Sequence, residues 1–342
     1  MPPAERGASV APRRLVVDVH AHDIPKNFLA ALRRNEEAFG ARLERRNGRL
    51  FAVHKEGHAH PIGDEFTEVE AKLRDMDRRG IDRTVISPGP AFFGYRREAG
   101  AAAEMAALLN DGTAQMVDEA GGRLAGYAVV PLQDPRRAAL ELERAVGAYG
   151  FRGVEVGTDI AGMPLSDPSV RPFFRRCQEL GLMVLVHPYF NGKKPRMEQY
   201  YLTNLFGNPF DTALAIADVL LSGMLDDLPD LKLLFVHGGG FLPYQMGRLR
   251  HGYDVRAETR EHTPRSPEQS LRSLYFDTLT HDPAALRFLV GMVGPERVLL
   301  GTDLPFDMAD GEPLATLAAT GLGAAEQAKI AGANAAVHFA LG

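Results

Sequence analysis

Five polar residues stand where short apolar runs end. His20-Ala21-His22 follows Leu15–Val19 directly, His187 closes Leu182–Val186, His237 closes Lys232–Val236, and Asp303 follows Arg297–Leu300 through Gly301-Thr302. Imidazole nitrogens and carboxylate oxygens are ligands for a divalent transition ion. Residues two apart on a strand share a face, so His20 and His22 can point at one ion. The pair alone is weak: 11 histidines in 342 residues give about 0.35 such pairs by chance, and His58-Ala59-His60 is a second one. That second pair has no apolar run before it and reads as solvated loop histidines. A single histidine at a strand end is ordinarily a hydrogen-bonded core residue. Three such ends plus an aspartate on one rim form a donor set with a position left open for water or substrate.

Such a rim requires elements that bring distant strand ends together. Eight short β-branched runs recur: Leu15–Val19, Thr84–Ser87, Leu124–Val130, Gly153–Val156, Leu182–Val186, Lys232–Val236, Leu274–Asp277 and Arg297–Leu300. Most are continuously apolar, as strands covered on both faces are. Helical spacing of apolar residues falls between them, over 70–79, 101–120, 137–149, 170–180, 212–221 and 283–293. Alternation of this kind predicts an α/β fold, a parallel (β/α)₈ TIM barrel whose active site lies at the C-terminal strand ends. An open doubly wound sheet is weakened because no Gly-x-Gly-x-x-Gly turn follows the first run. The barrel is expected over 15–342 as one domain, after a frayed tail at 1–14. An insertion at 36–65 holds Asn47-Gly48, the signal for a two-residue hairpin turn. The charged segment His251–Ser270 reads as a long loop or irregular helix.

Composition removes several function classes. Thirty-nine basic against 44 acidic residues give a net charge of −5 and no basic run, which argues against a nucleic-acid or anionic-membrane partner. Cys177 is the sole cysteine, so no intrachain disulfide or thiolate cluster forms. No apolar stretch is long enough to span a membrane, and the first 14 residues have no signal-peptide core. A cytoplasmic location is expected.

Wording spread over most of the chain resembles the amidohydrolase superfamily, and within it the aminocarboxymuconate-semialdehyde decarboxylase branch. The shared phrases are VDVHAH around His20, Phe93-Gly94-Tyr95, VPLQD at Val130–Asp134, LVHP at Leu185–Pro188, HGGG at His237–Gly240 with Gly247-Arg248 downstream, and LGTDLPF at Leu300–Phe306. The resemblance implies His20, His22, His187 and Asp303 as metal ligands. It implies His237 as the catalytic acid/base, with Asp303 also able to take a proton from water, and Arg248 as a grip on a substrate carboxylate. It implies one divalent ion and no organic cofactor; three imidazoles and one carboxylate suit Zn²⁺, with Mn²⁺ and Fe²⁺ as alternatives. The expected reaction is non-oxidative decarboxylation of a small unsaturated or aromatic carboxylic acid. Hydrolysis or hydration of a lactone, ester or amide on the same metal is the alternative.

Two departures bear on the substrate. The residue before Pro61 is His60 where the branch has an arginine, and Tyr189-Phe190 replaces an aromatic-acid dipeptide. His60 is either a substituted substrate contact or an exposed loop residue; Tyr189 and Phe306 are expected to line the substrate. Asp18, two before His20, is expected to share its face as a supporting partner or a buried structural acid. Glu155 reads as structural, with a one-metal site favoured, and Cys177 as a buried filler. Arg248 lies 11 residues beyond His237, and Pro243 suits the first turn of a helix. Arg248 then sits about 8 Å along a helix leaving the rim. It serves a surface ion pair, or it reaches the neighbouring subunit's site in a symmetric homodimer.

Overall fold

A computed structural model describes residues 14–190, 192 and 194–341; the expected tail, apart from Arg14, lies outside them. Eight strands, β1 (Val17–Asp23), β2 (Arg83–Pro88), β3 (Leu124–Val129), β4 (Gly153–Gly157), β5 (Met183–His187), β6 (Lys232–Phe235), β7 (Tyr275–Asp277) and β8 (Val298–Leu299), form one sheet in chain order. Every neighbouring pair is parallel. The sheet returns on itself: the Val19 amide donates to the Leu300 carbonyl at 2.9 Å, and Ala21 bridges Leu304 in parallel. The fold is a (β/α)₈ TIM barrel, and each of the eight expected runs supplies a strand.

The strands are buried on both faces, which is why their sequences are apolar without alternation. Val17, Val19, Val85, Tyr127, Met183, Leu185, Leu234, Val236 and Leu299 pack together, with Phe339 of the last helix and Leu341 just beyond it against them. The opposite strand faces pack against the surrounding helices in one continuous core. Two of the helices start at Asp-Pro. Asp134 accepts from the Arg137 amide and Asp282 from the Ala285 amide, with Pro135 and Pro283 in the first turn. The expected long loop is partly ordered: helix Leu242–Val255 runs into it, and Pro267–Leu271 starts with a Ser266/Gln269 capping box. Among the described residues no helix is long and apolar enough to cross a membrane.

The insertion holds an antiparallel sheet of three strands, Ala41–Arg46, Arg49–His54 and Ala59–Ile62. Asn47 (φ 49°) and Gly48 (φ 80°) turn between the first two, the positive-φ pair that such a tight hairpin needs. Its third strand is short, lies at the edge and contains Pro61, so periodicity does not announce it. Ala52 lies opposite His60, and the His54 amide donates to the His58 carbonyl at 2.9 Å. His54, His58 and His60 therefore share one face. These are not the solvated loop histidines that the sequence suggests for 58 and 60.

One strand breaks its alternation. Pairing between β1 and β2 shifts register between Asp18 and Ala21. This bulge sends Asp18 and Ala21 to one side, where both border Lys72, Met76 and Ile81, while His20 and His22 turn toward the barrel mouth. Asp18 thus does not share the face of His20, contrary to the simple period-two expectation.

Candidate metal centre

The chain leaving β8 pairs with the end of β1. Asp303 and Thr302 both donate their amides to the His20 carbonyl, at 2.7 and 3.2 Å, and the His22 amide donates to Leu304. Asp303 is thereby set beside both histidines of the first strand. Gly301 makes the approach possible, since a Cβ there would lie 2.9 Å from the His20 Cβ and 2.8 Å from the Asp277 Cβ. Asp18, from its outer position, secures the same junction. It accepts from the Thr302 hydroxyl at 2.6 Å and from the amides of His20 and Thr302.

Three imidazoles converge on one carboxylate oxygen. The Nε2 atoms of His22, His20 and His187 lie 3.0, 3.3 and 3.8 Å from Asp303 Oδ1. All four atoms are buried and none has a hydrogen-bond partner. Buried polar atoms are nearly always hydrogen-bonded, so four orphans facing one point fit a shared cation. The opposite ring nitrogens are held. His20 Nδ1 is 2.7 Å from Asp277 Oδ2, His187 Nδ1 is 2.5 Å from the Pro188 carbonyl, and His22 Nδ1 is 3.3 Å from Ser87 Oγ. Such partners orient each ring and leave the Nε2 lone pair facing inward.

The charges agree with that reading. Burial works against an imidazolium at His20, yet the facing carboxylates of Asp303 and Asp277 outweigh it and raise its pKa to about 10. Burial dominates at His22 and His187 and lowers them to about 4 and about 3, so both are neutral donors at pH 7. Burial also opposes ionisation of Asp303, but His20, His187 and His22 hold its carboxyl well below the usual range. The facing carboxylates favour one positive charge at this point, and a cation held there would take the place of that proton.

His237 occupies a different position. Its Nε2 is 3.6 Å from the other oxygen, Asp303 Oδ2, and its side chain keeps 16% exposure. Its donor atom also lies within 4.8 Å of those of His20, His187 and Asp303, so distance alone does not exclude it as a ligand. The orphaned nitrogen of His237 is Nδ1, unlike the Nε2 orphans of the other three rings. With Asp303 it borders a cleft of ≈ 340 Å³ that also touches Asn204, Leu205, Thr280 and His281. Both His237 (φ 57°) and Asp303 (φ 65°) adopt left-handed backbone, which costs a non-glycine residue on the order of 1–3 kcal/mol and collects at functional sites. Gly240 must be glycine: φ is 62°, and a Cβ would meet the Pro209 carbonyl oxygen at 2.1 Å.

The remaining expected residues are less uniform. The Phe306 ring stands 5.1 Å from that of His22. Tyr189 is buried, and its hydroxyl donates to Asp159 Oδ1 and accepts from the Ala161 amide; it borders a pocket with His54 and Tyr95 rather than the cleft beside His237. His60 packs 6.1 Å from Phe306 and 5.2 Å from His54. Arg248 is exposed on helix Leu242–Val255, with no ion pair among the described residues. Glu155 is fully buried on β4, and burial pushes its carboxyl well above the usual range. Cys177 is buried, as expected of a filler.

Sequence reasoning passed over Asp277, Ser87 and His54. Asp277 ends an apolar run as Asp303 does, so the signal was present. It accepts from His20 Nδ1 and from the amides of Gly238 and Leu279, at 2.7 and 3.1 Å.

A family model described as Amidohydrolase matches residues 17–341. The chain belongs to the amidohydrolase family. It is 33% identical over 300 residues to 2-amino-3-carboxymuconate-6-semialdehyde decarboxylase of Dictyostelium discoideum, covering 87% of this chain and 84% of that one. It also shares its fold with 5-carboxyvanillate decarboxylase of Sphingomonas paucimobilis, at TM-score 0.80 and 22% identity over 96% and 99% of the two chains. The enzyme of that name from Novosphingobium aromaticivorans, solved with manganese and a nitrobenzoic acid, gives TM-score 0.81 at 19% identity over 96% of each chain.

Proposed function

We propose that this protein is a metal-dependent, non-oxidative decarboxylase of a small unsaturated or aromatic carboxylic acid. The observation that carries the reading is the set of four orphaned donor atoms beside one imidazole that faces the cleft. His20, His22, His187 and Asp303 would hold the ion. When bound, a divalent ion supplies Lewis acidity toward the substrate carboxylate or a neighbouring oxygen. The donor set suits Zn²⁺ best, with Mn²⁺ and Fe²⁺ as alternatives; the manganese in the structural relative supports a divalent ion without selecting zinc.

Decarboxylation breaks a carbon–carbon bond and leaves the electron pair on the carbon that loses CO₂. That carbon must gain a proton, and His237, at the cleft wall, is placed to deliver it. Phe306 shields the His22 side of the site from water. Residues 15–342 work as one barrel domain carrying 36–65, and the protein acts in the cytoplasm, a reading in keeping with its single cysteine. Mass spectrometry on a panel of hydroxybenzoates, aminomuconate-like acids and lactones tests the reaction. Loss of one CO₂ is expected; gain of one water would make the enzyme a hydrolase or hydratase.

Arg248 reaches the substrate carboxylate of the neighbouring subunit in a homodimer. Its side chain is exposed and unpaired within the described chain, and its helix also exposes Tyr244. Phe241, just before that helix, is exposed and its ring lies 5.7 Å from that of exposed Phe206. A patch of this kind marks an association surface. Co-expressed His187→Ala and Arg248→Ala proteins, each inactive alone, should regain activity in mixed dimers that hold one intact site. A monomer by sedimentation, or mixed dimers as inactive as their parents, would show that Arg248 does not act in trans.

A further inference from the structure

We infer that His54, His58 and His60 form a second metal site, within the insertion, for a late first-row divalent ion such as Zn²⁺ or Ni²⁺. The three side chains lie on one face of the last two insertion strands, as the pairing of Ala52 with His60 and the His54–His58 turn require. One donor nitrogen from each ring lies within 4.8 Å of the others. His54 is only 5% exposed. His54 Nε2, His58 Nδ1 and His60 Nε2 are all buried without a hydrogen-bond partner, so three lone-pair positions stand unused in one place. Packing alone does not account for three orphans at adjacent positions.

The chemistry of the surroundings selects the ligand class. Burial lowers His58 to about 4 and His60 to about 3, and pushes His54 well below its ordinary value, so all three are neutral donors at pH 7. The acid nearest in sequence, Glu56, is paired with Arg97. An all-imidazole set without carboxylates favours zinc, copper or nickel over magnesium or calcium. Phe92, Phe190 and Phe306 surround the rings, at 5.0 Å from His54, 4.4 Å from His58 and 6.1 Å from His60. His54 and His58 now stack at 4.3 Å with their planes 6° apart. Rotation about the soft Cβ–Cγ torsions turns the in-plane lone pairs onto a common point. An ion held there fastens the short edge strand Ala59–Ile62 to its neighbour. One phenyl ring, Phe306, separates this site from His22 of the barrel centre.

The test uses untagged full-length protein whose barrel centre is already loaded, titrated with Zn²⁺ or Ni²⁺ alone and followed by calorimetry and elemental analysis. Two ions per chain are expected for the wild type and one for His58→Ala and for His54→Ala. Loss of one ligand should weaken the insertion site by at least the ~10–100-fold that loss of an outer partner costs a metal site. His187→Ala should do the reverse, keeping the insertion ion while losing the barrel ion, which separates the two assignments. Should the alanine variants fail to fold, an anomalous-scattering map of zinc-soaked wild-type crystals decides. A peak bonded to all three rings supports the site, and a peak at the barrel mouth only overturns it. Saturation of folded wild-type protein at one ion, or two ions in a folded triple variant, would equally overturn it.

Discussion

Replacement of His187 by alanine should yield a folded protein with no ion at the barrel centre and no turnover above background. The choice of residue matters. His20 also binds Asp277, and the backbone of both β1 histidines holds the chain after β8, so their removal would disturb several contacts at once. Among the described residues the His187 ring hydrogen-bonds only the Pro188 carbonyl, through Nδ1, and presents Nε2 to the shared point. Because burial keeps His187 neutral, the variant removes a lone pair and not a charge. Asp303 stays ionised, and the remaining three donors no longer close around an ion. Elemental analysis, circular dichroism and a turnover assay check the outcome together. Full metal content with full activity would remove His187 from the ligand set.

His237→Ala should behave in the opposite way, keeping the barrel ion while losing about 10²–10⁴-fold in turnover, the usual contribution of a placed proton-transfer group. His237 faces Asp303 Oδ2, whereas the rings of His20, His22 and His187 face Oδ1, so its removal leaves the converging set intact. The loss should fall on kcat more than on KM, since a proton delivered in the transition state adds little to ground-state binding. A variant that arrives without its ion would place His237 among the ligands. A variant with unchanged kcat would remove it from the chemistry altogether.

Much of the barrel was legible because parallel strands covered on both faces carry unbroken apolar runs, and their ends carry the chemistry. His20, His22, His187, His237 and Asp303 were found by that position alone, and they do meet. Period two failed at Asp18 because a bulge inserts one residue into β1, and no residue type there signals it. The insertion was legible only at Asn47-Gly48, where a turn demands positive φ. Its edge strand was hidden by Pro61 and by its own shortness, so the partial burial of His58 and His60 was hidden with it. The role of Asp277 depends on which ring its carboxylate meets 257 positions away, a pairing that only closure of the barrel creates.

That single carboxylate acts as an interlock. Asp277 grips His20 Nδ1 through one oxygen and, through the other, the Gly238 amide of the loop that carries His237. A shift of the His20 ring, such as loss or exchange of the proposed ion would cause, would therefore be transmitted to the backbone beside His237. On the proposed roles, the alignment of His237 would become a consequence of correct metallation, and a mis-metallated protein would be mistuned in its proton chemistry.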